Sequence, residues 1–396
     1  MRALSFHWQR QSQLSEDSMQ SLLMNLLRGI AALQVAAAHL RAEIYPGLRG
    51  LDEPGAGYLA LAFFTGFAHQ AVMVFFLISG WLVGGSLLNK IGQPKALRSY
   101  AIDRATRLWT VLLPTFVLML GIGLVTGTVT PEPAGLGAAG DYSAGALVGN
   151  LVGLQTVVVP KFGGNYPLWS LANETWYYVQ FPLLLLVFMG RGWPRQAACA
   201  AMLALTVAFL PYVMTLYFGI WLLGAAFSRI RVDSSFGVRM LVLAIAMGVS
   251  VYYRINGAND DILPESFGQD LLCTFPVVVL LGMMHMPVNP NSRVLRYLRI
   301  LGKWLSEFSF TLYVLHVPVI DLAQYVGRTW FGREKLDPAS AGDFAIYFAL
   351  LAILVASAWL FYLLFERNTY RVRRFAKAIV LRNRPKVATP IVFSAD

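Results

Sequence analysis

The residues with the chemistry to act on a ligand are few, and two of them share a helix face. Arg28 and His39 stand eleven residues apart inside the apolar run 21–41. On an α-helix that spacing is about 16 Å of rise and about 1100° of turn, three revolutions plus some 20°. The spacing places a permanent cation near the start of a groove and a titratable imidazole near its end. An extended ligand would fit such a groove. Imidazole is the side chain best suited to remove a hydroxyl proton near neutral pH. The plainer alternative is an interfacial histidine that only snorkels to the membrane surface. Arg28 on the same face favours the groove.

Three further segments carry chemistry. In Asp103-Arg104-Ala105-Thr106-Arg107 the two arginines stack one turn apart. Such a pair either grips phosphate or carboxylate or anchors a helix at the basic side of a membrane, and the motif alone leaves both open. In Trp169-Ser170-Leu171-Ala172-Asn173-Glu174 a carboxylate lies about one turn inside a helix and needs a partner or a proton. In Ser309 to Pro318, Ser309, Tyr313 and His316 form a polar stripe at helical spacing, and His316 reads equally well as a structural histidine. His7, His69 and His285 lack a companion motif and read as structural. With so few free histidines no metal site is expected.

The elements that must position these groups are transmembrane helices. Of 396 residues 57% are hydrophobic and 13% charged, whereas a soluble domain carries about 25% charged residues. Apolar runs long enough to cross a bilayer recur at about 21–41, 69–89, 106–128, 168–189, 196–211, 213–229, 238–253, 268–286, 304–325 and 342–366. The fold expected is all-α, a polytopic membrane protein of about ten helices. Pro211 divides a run too long for one crossing into a tight hairpin. The segment 58–68 could extend the second helix. The notch Ser79-Gly80 in the aromatic run Phe75 to Leu82 is read as a close helix-packing site.

With the N-terminus inside, 25 of the 32 Lys and Arg residues fall in alternate, cytoplasmic segments, as the positive-inside rule requires. Both termini are then cytoplasmic. The net charge of +11 is accounted for by topology, which argues against a nucleic-acid partner. The chain divides into an N-terminal tail 1–20, a membrane domain 21–366 and a basic tail 367–396 lying near anionic lipid. The polar opening with Glu16 and Asp17 predicts a signal anchor in place of a cleaved peptide. The Gly- and Pro-rich loop 129–167 holds an apolar stretch, 146–159, too short to span, which is expected to lie in the interface or cap a cavity. Cys199 and Cys273 are expected near opposite faces, too far apart for a disulfide.

Taken in order, the segments resemble the acyltransferase-3 family of membrane proteins. Arg28-Gly29-Ile30-Ala31 through His39 is similar to that family's arginine, ten residues, histidine signature. Phe75 to Leu82 looks like its aromatic-Leu-Ser-Gly segment, and Arg104 and Arg107 match its RxxR. Trp169-Ser170-Leu171 with Glu174 and Tyr178, Ser309 to Pro318, and Phe365-Glu366-Arg367 match three more segments in family order. Thr175 departs from the pattern, because many members carry a second carboxylate there. The resemblance implies transfer of an acyl group, acetyl being the usual one, from cytoplasmic acyl-CoA to a hydroxyl of a cell-surface or exported glycan at a bacterial inner membrane. Acyl-CoA is then a co-substrate, with no bound cofactor.

On that reading His39 is the expected base, with Glu174 orienting it or touching the acceptor. Arg104 and Arg107, helped by Arg28, hold the phosphates of the donor. Ser170, Tyr313 and His316 are secondary candidates. His316 and Asp321 also show the H-x-x-x-x-D spacing of soluble glycerol-phosphate acyltransferases, but five helical residues leave them about 140° apart, poorly placed for one site. The competing function is a transporter or flippase of a lipid-linked sugar, since buried arginine, histidine and carboxylate also line transport paths. Transporters often show inverted repeats with interrupted helices, and no convincing pair occurs here.

Overall fold

The computed structural model of the protein describes residues 4–129, 141–190, 192–257 and 262–381. In chain order it contains β1 (Ser5–Trp8), α1 (Met19–Ile44), α2 (Ala56–Phe64), and α3 (Ala68–Ser79), which runs through a π-helical turn at Gly80–Gly84 into α4 (Gly85–Lys90). Then come α5 (Ala96–Thr126), α6 (Ala144–Leu151), α7 (Leu168–Met189), α8 (Trp193–Phe209), α9 (Tyr212–Phe227), β2 (Ile230–Asp233) and α10 (Phe236–Asn256). The last elements are α11 (Phe267–Met283), α12 (Arg293–Glu307), α13 (Ser309–Phe331), α14 (Ala341–Leu364) and α15 (Thr369–Val380). Ser18, Ser143, Ser235, Ser292 and Ser340 each cap a helix, the hydroxyl accepting a first-turn backbone N–H. Caps of this kind contribute about 1 kcal/mol each.

A helix occupies each of the ten expected spans, with informative differences. The third begins not near residue 106 but at Ala96, so Arg104 and Arg107 lie inside α5 and not at its start. The added turns are held by α15: Arg373 and Lys377 pair with Asp103, and Thr369 bonds Thr110. The ninth expected span is two helices. Its first part, α12, is amphipathic, with Val294, Tyr297, Ile300 and Leu301 exposed, and it crosses α1 closely enough that a Cβ on Gly29 would lie 2.3 Å from that of Leu305. The segment 58–68 forms the separate helix α2, broken from α3 at Thr65. The hairpin at Pro211 is as expected, α8 ending at Phe209 and α9 starting at Tyr212.

Six helical runs among the described residues are long and apolar enough to cross a membrane: Met19–Ile44, Ala56–Lys90, Ala96–Thr126, Phe236–Asn256, Ser309–Phe331 and Ala341–Val380. Helices α9 and α11 are apolar but shorter. The core is built from α1, α3, α5, α7, α9, α11 and α13, whose aromatic and aliphatic side chains form one buried cluster. By contrast α8 buries only Cys199 and α10 only Ala246. Apolar helices so exposed need lipid around them. Both cysteines are free.

The Ser79-Gly80 notch is a packing site. A Cβ on Gly80 would lie 1.9 Å from the Trp221 carbonyl oxygen, and one on Gly224 2.0 Å from that of Leu77, so α3 and α9 meet backbone to backbone. The apolar stretch 146–159, which includes most of α6, is held against α5 and α7, where the indoles of Trp109 and Trp176 donate to the carbonyls of Leu151 and Gly153 at 2.8 and 2.9 Å. Outside the helices, β1 and β2 pair antiparallel, Ser5 opposite Asp233, a two-stranded ribbon that the all-α expectation did not contain.

Candidate active site

A cavity of about 540 Å³ opens among α1, α3, α5, α7, α13 and α15. Its wall from α3 and α4 runs from Val72 to Ser86, fifteen residues or about 20 Å of helix. Arg28, Arg104, Arg107, Glu174, Ser170 and Tyr313, dispersed over 285 residues of sequence, all line it. Polarity changes along its length. The end carrying the N-terminal parts of α1 and α5 presents arginines, whereas the far end is walled by Val72, Phe75, Leu171 and Tyr313.

The two arginines of α5 have different surroundings. Arg107 is ion-paired with the buried carboxylate of Glu366. Glu366 also accepts the backbone N–H of Thr311 at 3.2 Å and its hydroxyl at 2.5 Å, so this one side chain caps α13 and balances Arg107. Arg104 lies over the ring of Tyr178, 5.6 Å from its centroid, with its Nε unbonded. Arg28 reaches only the Ser309 hydroxyl, at 3.5 Å. Among the described residues neither Arg28 nor Arg104 makes an ion pair, although the carboxylates of Glu174 and Glu307 line the same cavity. Arg373, in the segment read as a tail, lines the same wall and pairs with Asp103 at 3.3 Å.

Glu174 stands beside these cations and apart from His39. One of its oxygens accepts from the Ser79 hydroxyl and the Tyr178 hydroxyl, both at 2.5 Å, and Ser79 in turn accepts from the Trp221 indole at 3.2 Å. The expectation that Glu174 might orient the imidazole therefore meets a different arrangement, because the imidazole has another partner.

That partner is His316. His39 Nδ1 lies 2.8 Å from His316 Nε2, and His316 Nδ1 lies 3.1 Å from the Leu312 carbonyl oxygen. A carbonyl can only accept, so the proton of neutral His316 sits on Nδ1 and its Nε2 accepts from His39 Nδ1–H. The lone pair of His39 is thereby left on Nε2. His316 is fully buried and His39 partly exposed, with Tyr166 edge-on to it at 4.8 Å. Pro318 helps to fix this part of α13: it lacks an N–H, and the Val314 carbonyl thus released accepts instead from the Asn165 side chain at 2.9 Å.

Neither histidine lines the cavity. Between them and it stand Ser170 and Tyr313, whose hydroxyls are 2.6 Å apart and each 3.2 Å from the Pro167 carbonyl oxygen. One hydroxyl donates to the other, which donates to the carbonyl. The Tyr313 ring is 6.0 Å from His316 on one side and 5.7 Å from Phe75 on the other.

Sequence reasoning did not single out Glu366 or Arg373 as parts of the site. The match of Phe365-Glu366-Arg367 to a family segment was the available signal for Glu366, but it reads as a helix ending. Arg373 gave none, since a cation in a basic run looks like any membrane anchor. Among the described residues no group of three potential metal-ligating side chains occurs.

The family model described as "Acyltransferase domain" matches residues 22–364, which contain every residue of the cavity and the histidine pair except Arg373. The chain is also similar to the acyltransferase MdmB of Streptomyces mycarofaciens, 26% identical over 399 residues that cover 92% of this chain and 93% of that protein. No solved structure matches. With its apolar helices and a family match over most of its length, the chain belongs to the acyltransferase-3 family and is a multi-pass membrane acyltransferase.

Proposed function

We propose that the protein transfers a short acyl group from cytoplasmic acyl-CoA to a hydroxyl of a cell-surface or exported glycan. In this reading about ten helices cross the inner membrane of a bacterium and both termini are cytoplasmic, so the arginine end of the cavity faces the cytoplasm. The observation that carries the reading is a division of labour along α1: Arg28 borders a cavity with two guanidiniums that make no ion pair among the described residues, and His39, about 16 Å further on, holds an open imidazole lone pair.

Phosphates of the donor bind Arg28 and Arg104, with the Arg107–Glu366 pair as a fixed wall. The thioester then points along the cavity toward Tyr313 and must pass the Ser170–Tyr313 pair to reach His39. His39 Nε2 takes the proton of the acceptor hydroxyl as its oxygen attacks the thioester carbonyl carbon. The C–O bond forms, the C–S bond breaks, and the CoA thiolate leaves and recovers a proton. His316 is a positioning residue that keeps His39 in the productive tautomer. Glu174 is assigned to the donor cavity.

The test is release of CoA thiol from acetyl-CoA by purified protein in detergent, with a surface-glycan extract present, wild type against His39→Ala, both checked by thermal unfolding. Release by the wild type and loss in an equally folded variant is expected. Equal release by both would remove His39 from the mechanism, and no release by either would overturn the CoA reading.

A further inference from the structure

We infer that Arg373 is a donor-binding residue whose guanidinium takes the 3′-phosphate of coenzyme A. The inference rests on the acyl-CoA reading above and deepens it by assigning one phosphate of the donor to the C-terminal helix, beyond the residues that the family model matches. Within α15, Thr369, Arg373 and Lys377 recur every fourth residue and form a less exposed stripe, whereas Tyr370, Arg371, Arg374 and Phe375 are exposed. The stripe lies on α5. Thr369 bonds Thr110 at 3.0 Å, and Arg373 and Lys377 both reach Asp103. The two cations do not share that carboxylate equally. Lys377 Nζ is 2.7 Å from Asp103 Oδ1, while Arg373 Nε is 3.3 Å from the same oxygen and, although buried, makes no hydrogen bond among the described residues. Lys377 can therefore balance Asp103 alone, which leaves the guanidinium of Arg373 to an anion in the cavity it lines.

The carboxylates that line the same cavity are engaged elsewhere, Glu174 by the Ser79 and Tyr178 hydroxyls and Glu307 by the Tyr362 hydroxyl at 3.3 Å. Position and charge then select the phosphate. Asp103 precedes Arg107 by about one turn, some 6 Å toward the start of α5, so Arg373 stands toward the end of the cavity away from Tyr313. Along an acyl-CoA molecule the 3′-phosphate is the phosphate farthest from the thioester. With the thioester directed toward Tyr313, it comes to this end. It is also the donor's one phosphate monoester, close to a dianion at neutral pH, and a planar guanidinium matches such a group bidentately. Arg28 and Arg104 are left to the pyrophosphate.

The experiment is calorimetric titration of purified full-length protein with acetyl-CoA and with its 3′-dephospho analogue, for wild type, Arg373→Gln, Arg373→Lys, Arg374→Gln and Arg104→Ala, with thiol release measured in parallel. A ratio of two dissociation constants does not depend on the fraction of folded molecules, so a partly unfolded variant still reports. Wild type is expected to bind acetyl-CoA about tenfold more tightly than the analogue, the scale of a charge-assisted contact. Arg373→Gln should erase that ratio by weakening acetyl-CoA alone, and Arg373→Lys should keep part of it. Arg374→Gln removes an equal charge from the exposed side of the same helix and should keep all of it, while Arg104→Ala should weaken both donors alike. The assignment would be overturned, with the CoA reading intact, by a wild type indifferent to the 3′-phosphate or by an Arg373→Gln that weakens both donors equally or neither. A selective loss in Arg104→Ala, or a ratio lost equally in Arg374→Gln, would overturn it as well. No binding and no thiol release with either donor would overturn the CoA reading and the assignment together.

Discussion

Two histidines in this protein have a ring nitrogen 2.8 Å from a buried partner, and they are built for opposite purposes. His39 meets the neutral ring of His316 near one end of α1, whereas His69, at the start of α3, meets the Asp270 carboxylate of α11. The second pair is sealed: His69 and Asp270 are both buried, and the other Asp270 oxygen accepts from Tyr217 at 2.5 Å, tying α3, α9 and α11 together. In the first pair only one member is sealed. His39 remains partly exposed, and its remaining nitrogen makes no hydrogen bond among the described residues. A histidine reacts when its second nitrogen is open and its tautomer fixed, and it holds helices together when its partners consume it.

The largest expected effect separates these two uses. His39→Ala should lower transfer by about 10²–10⁴-fold, the usual worth of a general base, with the unfolding midpoint nearly unchanged, as steady-state turnover and thermal unfolding of the same preparation would show. Asp270→Ala should do the reverse. Removing one partner of a buried pair costs about 3–5 kcal/mol, so the midpoint in denaturant titration should fall sharply while turnover per folded molecule persists. If Asp270→Ala abolished turnover with stability intact, His69 would belong to the reaction and the contrast would fail.

Much of the helical scaffold was legible in the sequence, because apolar length is a local signal. Arg28 and His39 were placed on one face by spacing alone, and Pro211 and the Ser79-Gly80 notch marked a hairpin and a helix crossing. What escaped was long-range. His39 and His316 are 277 residues apart, and Arg107 and Glu366 are 259 apart; no periodicity predicts which of several polar stripes will face each other. Asp103, Arg104 and Arg107 looked like the polar flank of a span, although α5 continues two more turns under the grip of α15. The ribbon of β1 and β2, at four residues a strand, offered too short an alternation to read.

The same contrast between open and committed groups recurs in α5 at smaller scale. Arg104→Ala removes a guanidinium with no carboxylate partner, so the expected loss is in donor affinity, about tenfold or more for a charge-assisted contact. High salt should narrow that difference, and titration with acetyl-CoA at two ionic strengths measures both. Arg107→Ala instead leaves the buried Glu366 uncompensated, and its expected signature is a lowered unfolding midpoint. If both variants lost only affinity, Glu366 would not be the structural counterion described here.

The smallest effect tests whether burial, and not the histidine–carboxylate pairing itself, makes His69 and Asp270 matter. Asp233 on β2 has the same kind of partners, His285 at 3.2 Å and His7 at 3.4 Å, together with Arg231 at 3.1 Å, but its side chain is 42% exposed. Although its limited burial opposes the shift, the bond from Arg231 and the neighbouring charges hold this carboxyl below its ordinary value. A carboxyl depressed by folding stabilises the folded state above the unfolded-state value, near 4, and that contribution fades as pH falls through the lower folded value. Water screens such pairs to about 0–1 kcal/mol. Asp233→Asn should therefore shift the unfolding midpoint little at neutral pH, and the small difference from wild type should vanish in acid. A loss at neutral pH comparable to that of Asp270→Ala would show that the exposed ribbon is as much a clasp as the buried pair, and that exposure does not rank these contacts.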